Sequence, residues 1–310
     1  MHLRRILSTI LALLILTMEV SALDTNLAQN QAHWAEQSIS DCITLNLLDK
    51  TPDTAWPDQP VTPALISSVF SKAFSLNITL GSPITRQEIA NIIEAETSVQ
   101  PKDIFQNYPD GDFKPDNSLT NAEFCTLVIR LVKILNQIAP PDETAWEIIQ
   151  DIKQQYPTGT LWGFSDTVGT KYYLNGVQAD NLSTDVSAIN ATILNTNFNG
   201  RIRLPTSIKY ACGGFAAMVS DSIFGKTGSP CREIFDTAQA SPGDIVYFTD
   251  ADGYAVHIAI VYNLFKVNGQ TYFQHAGANE YEQVRYPDDV EKPFYQIGDT
   301  IRIFTRYQED

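Results

Sequence analysis

The sequence predicts an α+β protein: capped helical segments fill the first half, strand-like runs cluster in the second, and Pro140-Pro141 stands between them. Proline cannot continue a helix and lacks a backbone donor, so this pair is a natural boundary. A chain of 310 residues is long for one compact core, which argues for two domains, 23–140 and 141–310, after a leader at 1–22.

In the leader, Arg4 and Arg5 precede the apolar run from Ile6 to Met18, and Val20-Ser21-Ala22 offers the small residues a signal peptidase reads. A spanning helix needs about 20 apolar residues, and no later stretch approaches that length. The expectation is a cleaved secretory signal, a mature chain starting at Leu23, and no stable membrane insertion after cleavage. An uncleaved, tilted anchor is the competing reading. Removing Arg4, Arg5 and Glu19, a net +1, takes the formal charge from −15 to −16. Nucleic acid and anionic membranes are poor partners for such a chain.

Residues 33–138 carry a weak internal repeat whose unit is a helix start. Thr85-Arg86-Gln87-Glu88 and Thr120-Asn121-Ala122-Glu123 both have the T-x-x-E pattern, in which hydroxyl and carboxylate satisfy the free amides of a first turn. After Thr120, the residues Phe124, Leu127, Val128, Leu131, Ile134 and Leu135 form an apolar stripe at helical spacing. Thr62 opens a third helix, with Leu65 in place of the capping Glu. Cys42 and Cys125 sit in apolar helical surroundings, where a reduced cysteine acts as a small hydrophobe. His33 and Trp34 are expected to pack against the bundle. Asp110, Asp112 and Asp116 lack the regular alternation and late Glu of a calcium loop, so no metal is expected.

Together with His33-Trp34-Ala35-Glu36 and the stretch from Tyr108 to Pro115, these helix starts resemble S-layer homology repeats. The resemblance implies a helical bundle that binds secondary polysaccharides of a Gram-positive wall, with Arg86 and Trp34 contacting the saccharide. Only Arg86 fills the Arg position of the T-R-x-E box, since Thr62-Pro63 and Thr120-Asn121 lack it.

In the second half, a short helix is expected over Trp146–Gln155, then a Gly-, Asn- and aromatic-rich stretch, then a helix beginning at Cys212. Phe215, Met218, Val219 and Ile223 give that helix an apolar face, and Gly213 and Gly214 permit close backbone approach. A cysteine at a helix N-terminus meets the positive end of the macrodipole and free amides, which favour the thiolate. Four strand-like runs follow, Asp244–Phe248, His257–Leu264, Thr271–Gln274 and Thr300–Tyr307, and read as an antiparallel sheet. His257 and His275 are the histidines of this half. A nucleophilic thiol needs a base, and the base needs an orienting partner. A Cys212–Cys231 disulfide is the competing structural reading.

The words Tyr210-Ala211-Cys212-Gly213-Gly214-Phe215, Pro242-Gly243-Asp244-Ile245, His257-Ile258-Ala259-Ile260-Val261 and His275-Ala276-Gly277 occur in the order found in NlpC- and CHAP-type cysteine peptidases, which they resemble. Tyr156-Pro157-Thr158-Gly159-Thr160-Leu161-Trp162 is similar to a word that accompanies S-layer homology repeats in exported relatives. The resemblance implies a papain-like α+β domain and a secreted, wall-associated hydrolase of peptidoglycan stem peptides that needs no cofactor. It assigns Cys212 as nucleophile, His257 as base, His275 as orienting residue, and Tyr210, Trp162 and Gly213 to the substrate site. Ala211 stands where the family often has Asp. The alternatives are an inactive surface-binding or adhesion protein, or a cysteine peptidase acting on other amides.

A register problem accompanies this assignment. A two-residue type I′ turn at Asn268-Gly269 makes paired residues sum to 537, so that residue 275 faces 262. His257 then lies five residues on, roughly 17 Å away and on the opposite face. Bringing the imidazoles together requires a wider loop or a bulge. Otherwise Asn279 becomes the third member.

Overall fold

The computed structural model describes residues 33–49, 53, 55–81, 84–105, 112–160, 162–164, 172–174, 177–178, 212–225, 232–280 and 283–307. The leader, Asp110, Tyr210, Ala211 and Cys231 lie outside the described residues. Residues 37–310 form one compact unit, and of the other unit only His33–Glu36 are described. Among the described residues, no helix is long and apolar enough to cross a membrane.

The helical part comprises α1 (Glu36–Thr44), α2 (Pro63–Phe74), α3 (Arg86–Thr97), the single turn α4 (Pro101–Ile104), α5 (Asn121–Leu135) and α6 (Glu143–Gln155). Thr62, Thr85 and Thr120 cap α2, α3 and α5 as their sequence predicts. Each Oγ1 accepts the amide three residues on, at 3.2 Å. At Thr120 the reciprocal bond is also made, Glu123 Oε2 accepting the Thr120 amide at 3.0 Å. The helix starts are drawn together by isolated β-bridges, Pro60 to Thr120 and Thr85 to Ser118. Phe124, Leu127, Val128 and Leu131 are buried, but Ile134 and Leu135 are exposed. They fall in the last turn of α5, where the chain leaves the bundle and Asn136 Nδ2 donates to the carbonyls of Ala73 and Lys266. Cys42 and Cys125 are buried and unbridged, as small hydrophobes would be.

Three short antiparallel strands, β1 (Trp162–Phe164), β2 (Tyr172–Leu174) and β3 (Val177–Gln178), form one sheet. A second sheet holds β4 (Arg232–Ile234), β5 (Ile245–Thr249), β6 (Ala255–Val267), β7 (Gln270–Glu280), β8 (Gln283–Arg285) and β9 (Ile301–Thr305) in the order β4-β9-β5-β6-β7-β8, every pair antiparallel. The mixed α+β class is therefore as expected. Strands β4 and β8 are too short to show an alternating pattern in sequence.

Helix α7 (Cys212–Phe224) lies on one face of this sheet, where Phe215, Ala216 and Val219 pack with Ile245, Tyr247, Ile258, Ile260, Tyr262 and Phe304. The alternate residues Val246, Val261, Phe273 and Ile303 build a second core on the other face. Each large apolar side chain so buried contributes about 1.5–3 kcal/mol relative to exposure. Gly243, before β5, has a φ of 92°. The positive φ favours glycine, and a Cβ there would also displace the terminal methyl of Ile223 of α7. The helical part joins the sheet through the chain after α5: Ile138 donates to Leu264 O at 2.8 Å, and Lys266 to Asn136 O at 2.9 Å.

Two buried carboxyls make stability depend on pH. Burial pushes Asp41 of α1 and Asp244, just before β5, up to about 7, although Gln37 and the Ser241 amide respectively favour their charged forms. The folded state thus binds protons that the unfolded chain has released above its carboxylate range. The stability these groups provide is fully present at low pH and is lost as pH rises from about 4 through about 7. Denaturant titrations should show stability falling as pH rises from 5 to 7.5. Asp244→Asn should flatten the slope. Stability that rises over this interval would contradict the assignment.

Candidate functional site

The β6–β7 hairpin turns at Asn268 and Gly269, with φ of 50° and 76°, as a type I′ turn requires. Its register begins at the expected sum, Val267 opposite Gln270, and holds to Asn263 opposite Gln274. There it shifts, Val261 facing His275, so Tyr262 is an extra residue in β6. Tyr262 is fixed in the bulge by its hydroxyl, which donates to Asp288 Oδ2 at 2.6 Å and accepts from Gln150 Nε2 at 3.0 Å. The bulge returns His257 to the face of His275. Their ring centroids lie 5.6 Å apart, and Phe248 of β5 touches both rings, at 5.8 and 4.9 Å.

The thiol lies on the α7 face of β6, whereas Phe248 and Tyr295, which flank the imidazoles, pack with the core on the opposite face. Val261 exchanges hydrogen bonds with the β5 side, its amide donating to Asp244 O and its carbonyl accepting from Gly243. By strand alternation the amides of Ile260 and Ile258 therefore point towards β7. Pairing of β6 with β7 ends at Ile260 opposite Ala276, beyond which β7 pairs with β8. At this fork the Ile258 amide donates instead to Cys212 Sγ, at 3.4 Å. That amide belongs to the peptide leaving His257, so covalent geometry holds the His257 Cα within about 6 Å of the sulfur. Cys212 is unbridged and only 2% exposed, so the disulfide reading of this residue does not hold. It is the first residue of α7, where the amides of the first turn have no partner within the helix.

His275 is buried beneath the site, with Tyr295 at 5.4 Å between ring centroids. Lys292, itself buried, places its Nζ 3.2 Å from His275 Nε2. Gln274 Nε2 holds the Lys292 carbonyl. Nothing in the sequence singles out Lys292, because an isolated lysine between strands is ordinarily solvated.

The remaining expected site residues are scattered. Gly213 is buried beside Cys212 in the first turn of α7. Trp162 opens β1, which contacts β7 and β8. Tyr210 lies outside the described residues. Trp34 is 63% exposed, and its ring lies 5.4 Å from that of His33. Arg86 is only 4% exposed. Its guanidinium carbon lies 5.2 Å from the ring centres of Phe105 and Phe113, which contact each other edge to face, and it donates to Phe113 O at 2.9 Å and Glu123 Oε1 at 3.2 Å. The side chain expected to meet saccharide is thus built into the bundle. Among the described residues there is no group of three or more His, Cys, Asp or Glu side chains arranged to hold a metal ion.

No protein family, curated protein or solved structure matches this chain. What the site defines by itself is an α+β protein with an unbridged thiol at a helix N-terminus, which accepts the amide of Ile258, and a packed imidazole pair whose first member, His257, precedes Ile258 in the same strand.

Proposed function

We propose that the chain is an exported cysteine hydrolase with a papain-like domain, cleaving amide bonds of peptidoglycan stem peptides at the bacterial cell wall. The observation that carries the reading is the donation from the Ile258 amide to Cys212 Sγ, one peptide from His257, whose ring packs with that of His275. The leader and the helix starts that resemble S-layer homology repeats support the wall as the place of action.

In this mechanism His257 takes the thiol proton and the Cys212 thiolate attacks the scissile carbonyl carbon. The amides of the first turn of α7, where Gly213 and Gly214 leave room, stabilise the oxyanion. Collapse breaks the C–N bond, and His257 gives its proton to the departing amine. Water, deprotonated by His257, then cleaves the thioester and restores the thiol. Trp162 and Tyr210 are the proposed flanking substrate contacts.

The test uses purified sacculi. The full chain is expected to release muropeptides with new amino termini, and Cys212→Ala to release none while melting like the parent. Full activity in Cys212→Ala removes the mechanism. Binding to sacculi without release, together with no alkylation of Cys212 by iodoacetamide, identifies an inactive surface-binding protein instead.

A further inference from the structure

We propose that Asp41 is a proton-controlled latch: with its carboxyl protonated, α1 closes over the chain that follows β8, and ionisation of the carboxyl loosens that closure. The latch does not depend on the hydrolase reading above. Asp41 is 1% exposed. Its Oδ1 accepts from Gln37 Nε2 of the same helix at 2.9 Å, and its Oδ2, also buried, has no hydrogen-bond partner among the described residues. An ionised carboxylate only accepts and needs several donors to offset burial, whereas the protonated acid is a neutral group of nearly the same shape.

The groups around Asp41 come from three elements. On α1 itself are Gln37 and the buried Cys42 thiol. From α5 comes Lys133, and from the segment after β8 come the Phe294 amide and the Glu291 carboxylate. Loss of hydration is the largest influence and pushes Asp41 up to about 7; Gln37, Lys133 and the Phe294 amide pull the other way, and Glu291 adds to the rise. Burial also holds the Lys133 ammonium below its usual range, and its attraction is shared with Glu291 and Asp288 while Arg130 repels it. Glu291 is kept at α1 by Ser38, whose Oγ donates to its Oε1 at 3.2 Å. In the same segment Phe294 packs on Phe265 of β6, with ring centroids 5.0 Å apart, and Lys292 and Tyr295 contact His275. Helix α1 therefore closes on a segment whose other side chains hold β6 and an imidazole. Ionised Asp41 repels Glu291 and leaves a buried carboxylate short of donors. Both effects are relieved when α1 opens and the carboxyl meets water.

In the open state the carboxyl titrates in its ordinary range, at about 4. Between that value and the closed-state value the closed form alone keeps the proton, so each pH unit favours opening by about tenfold, and the effect levels off once both forms are ionised. Hydrogen–deuterium exchange of the full chain from pH 5 to 8.5, read by mass spectrometry and corrected for the intrinsic exchange rate, follows α1 separately from β5 and β9. The opening constant of α1 should rise about tenfold per pH unit to about pH 7 and change little above it. Asp41→Asn, which keeps the shape and an acceptor for Gln37, should make that constant independent of pH, while Asp244→Asn leaves the α1 profile as in the parent. Glu291→Gln removes the repulsion and should move the levelling point to lower pH. An α1 profile that is flat in the parent, that keeps its slope in Asp41→Asn, or that flattens in Asp244→Asn overturns the latch.

Discussion

Replacing His257 by Gln is expected to lower amide hydrolysis on the order of 10³-fold, the usual contribution of a positioned acid–base group, with little change in KM. Gln keeps one N–H donor and much of the ring's size but cannot exchange a proton. The surrounding structure should therefore persist, because Phe248 packs against the ring while the neighbouring Ile258 amide is held by backbone and sulfur. Cys212 would still sit at the start of α7, so some thiolate reactivity should remain. Iodoacetamide alkylation at neutral pH should fall less than turnover does, since alkylation needs only the thiolate and turnover also needs a proton for the leaving amine. A His257→Gln enzyme with turnover within roughly threefold of the parent excludes His257 as the base. Equal losses in alkylation and turnover would confine its role to activating the thiol.

How the site was legible follows from which forces place its members. Cys212 and the core of strand β6 could be read locally, because a glycine-rich helix start and an apolar run with turn residues at Asn268-Gly269 are short-range patterns. The meeting of His257 with His275 could be stated only as a condition. It depends on the bulge at Tyr262, which is fixed by Asp288 and Gln150, residues 26 and 112 positions away. No period-two pattern in β6 reveals such a contact. The same limit hid Lys292, whose burial arises only when the chain after β8 folds under β7. In the helical part the caps were readable because each lies within four residues. The fate of Arg86 was not, since a T-R-x-E box specifies the start of its own helix but says nothing about what covers the Arg.

Arg86→Met should destabilise the protein by about 3–5 kcal/mol, the range for removing one partner of a buried ion pair. The helix starts explain the size. Glu123 uses one oxygen to accept the Thr120 amide at the start of α5 and the other to accept from Arg86 at the start of α3. Arg86 also packs its guanidinium against the Phe105–Phe113 pair and holds the Phe113 carbonyl, so it anchors those residues as well. Methionine keeps an apolar contact with the two rings but leaves the Glu123 carboxylate, 19% exposed, and the Phe113 carbonyl without those donors. Arg86→Lys should recover only part of the loss, because an ammonium cannot both pack against the rings and fork to two acceptors. Adding Glu123→Gln to Arg86→Met should recover more, since the stranded charge is then removed while a polar cap remains. Urea denaturation of the four proteins measures these differences, and sedimentation with sacculi measures wall binding separately. An Arg86→Met protein of unchanged stability that no longer sediments would return Arg86 to the saccharide-binding role. Loss of stability with binding retained in the still-folded fraction assigns it to the bundle, where its burial and hydrogen bonds place it.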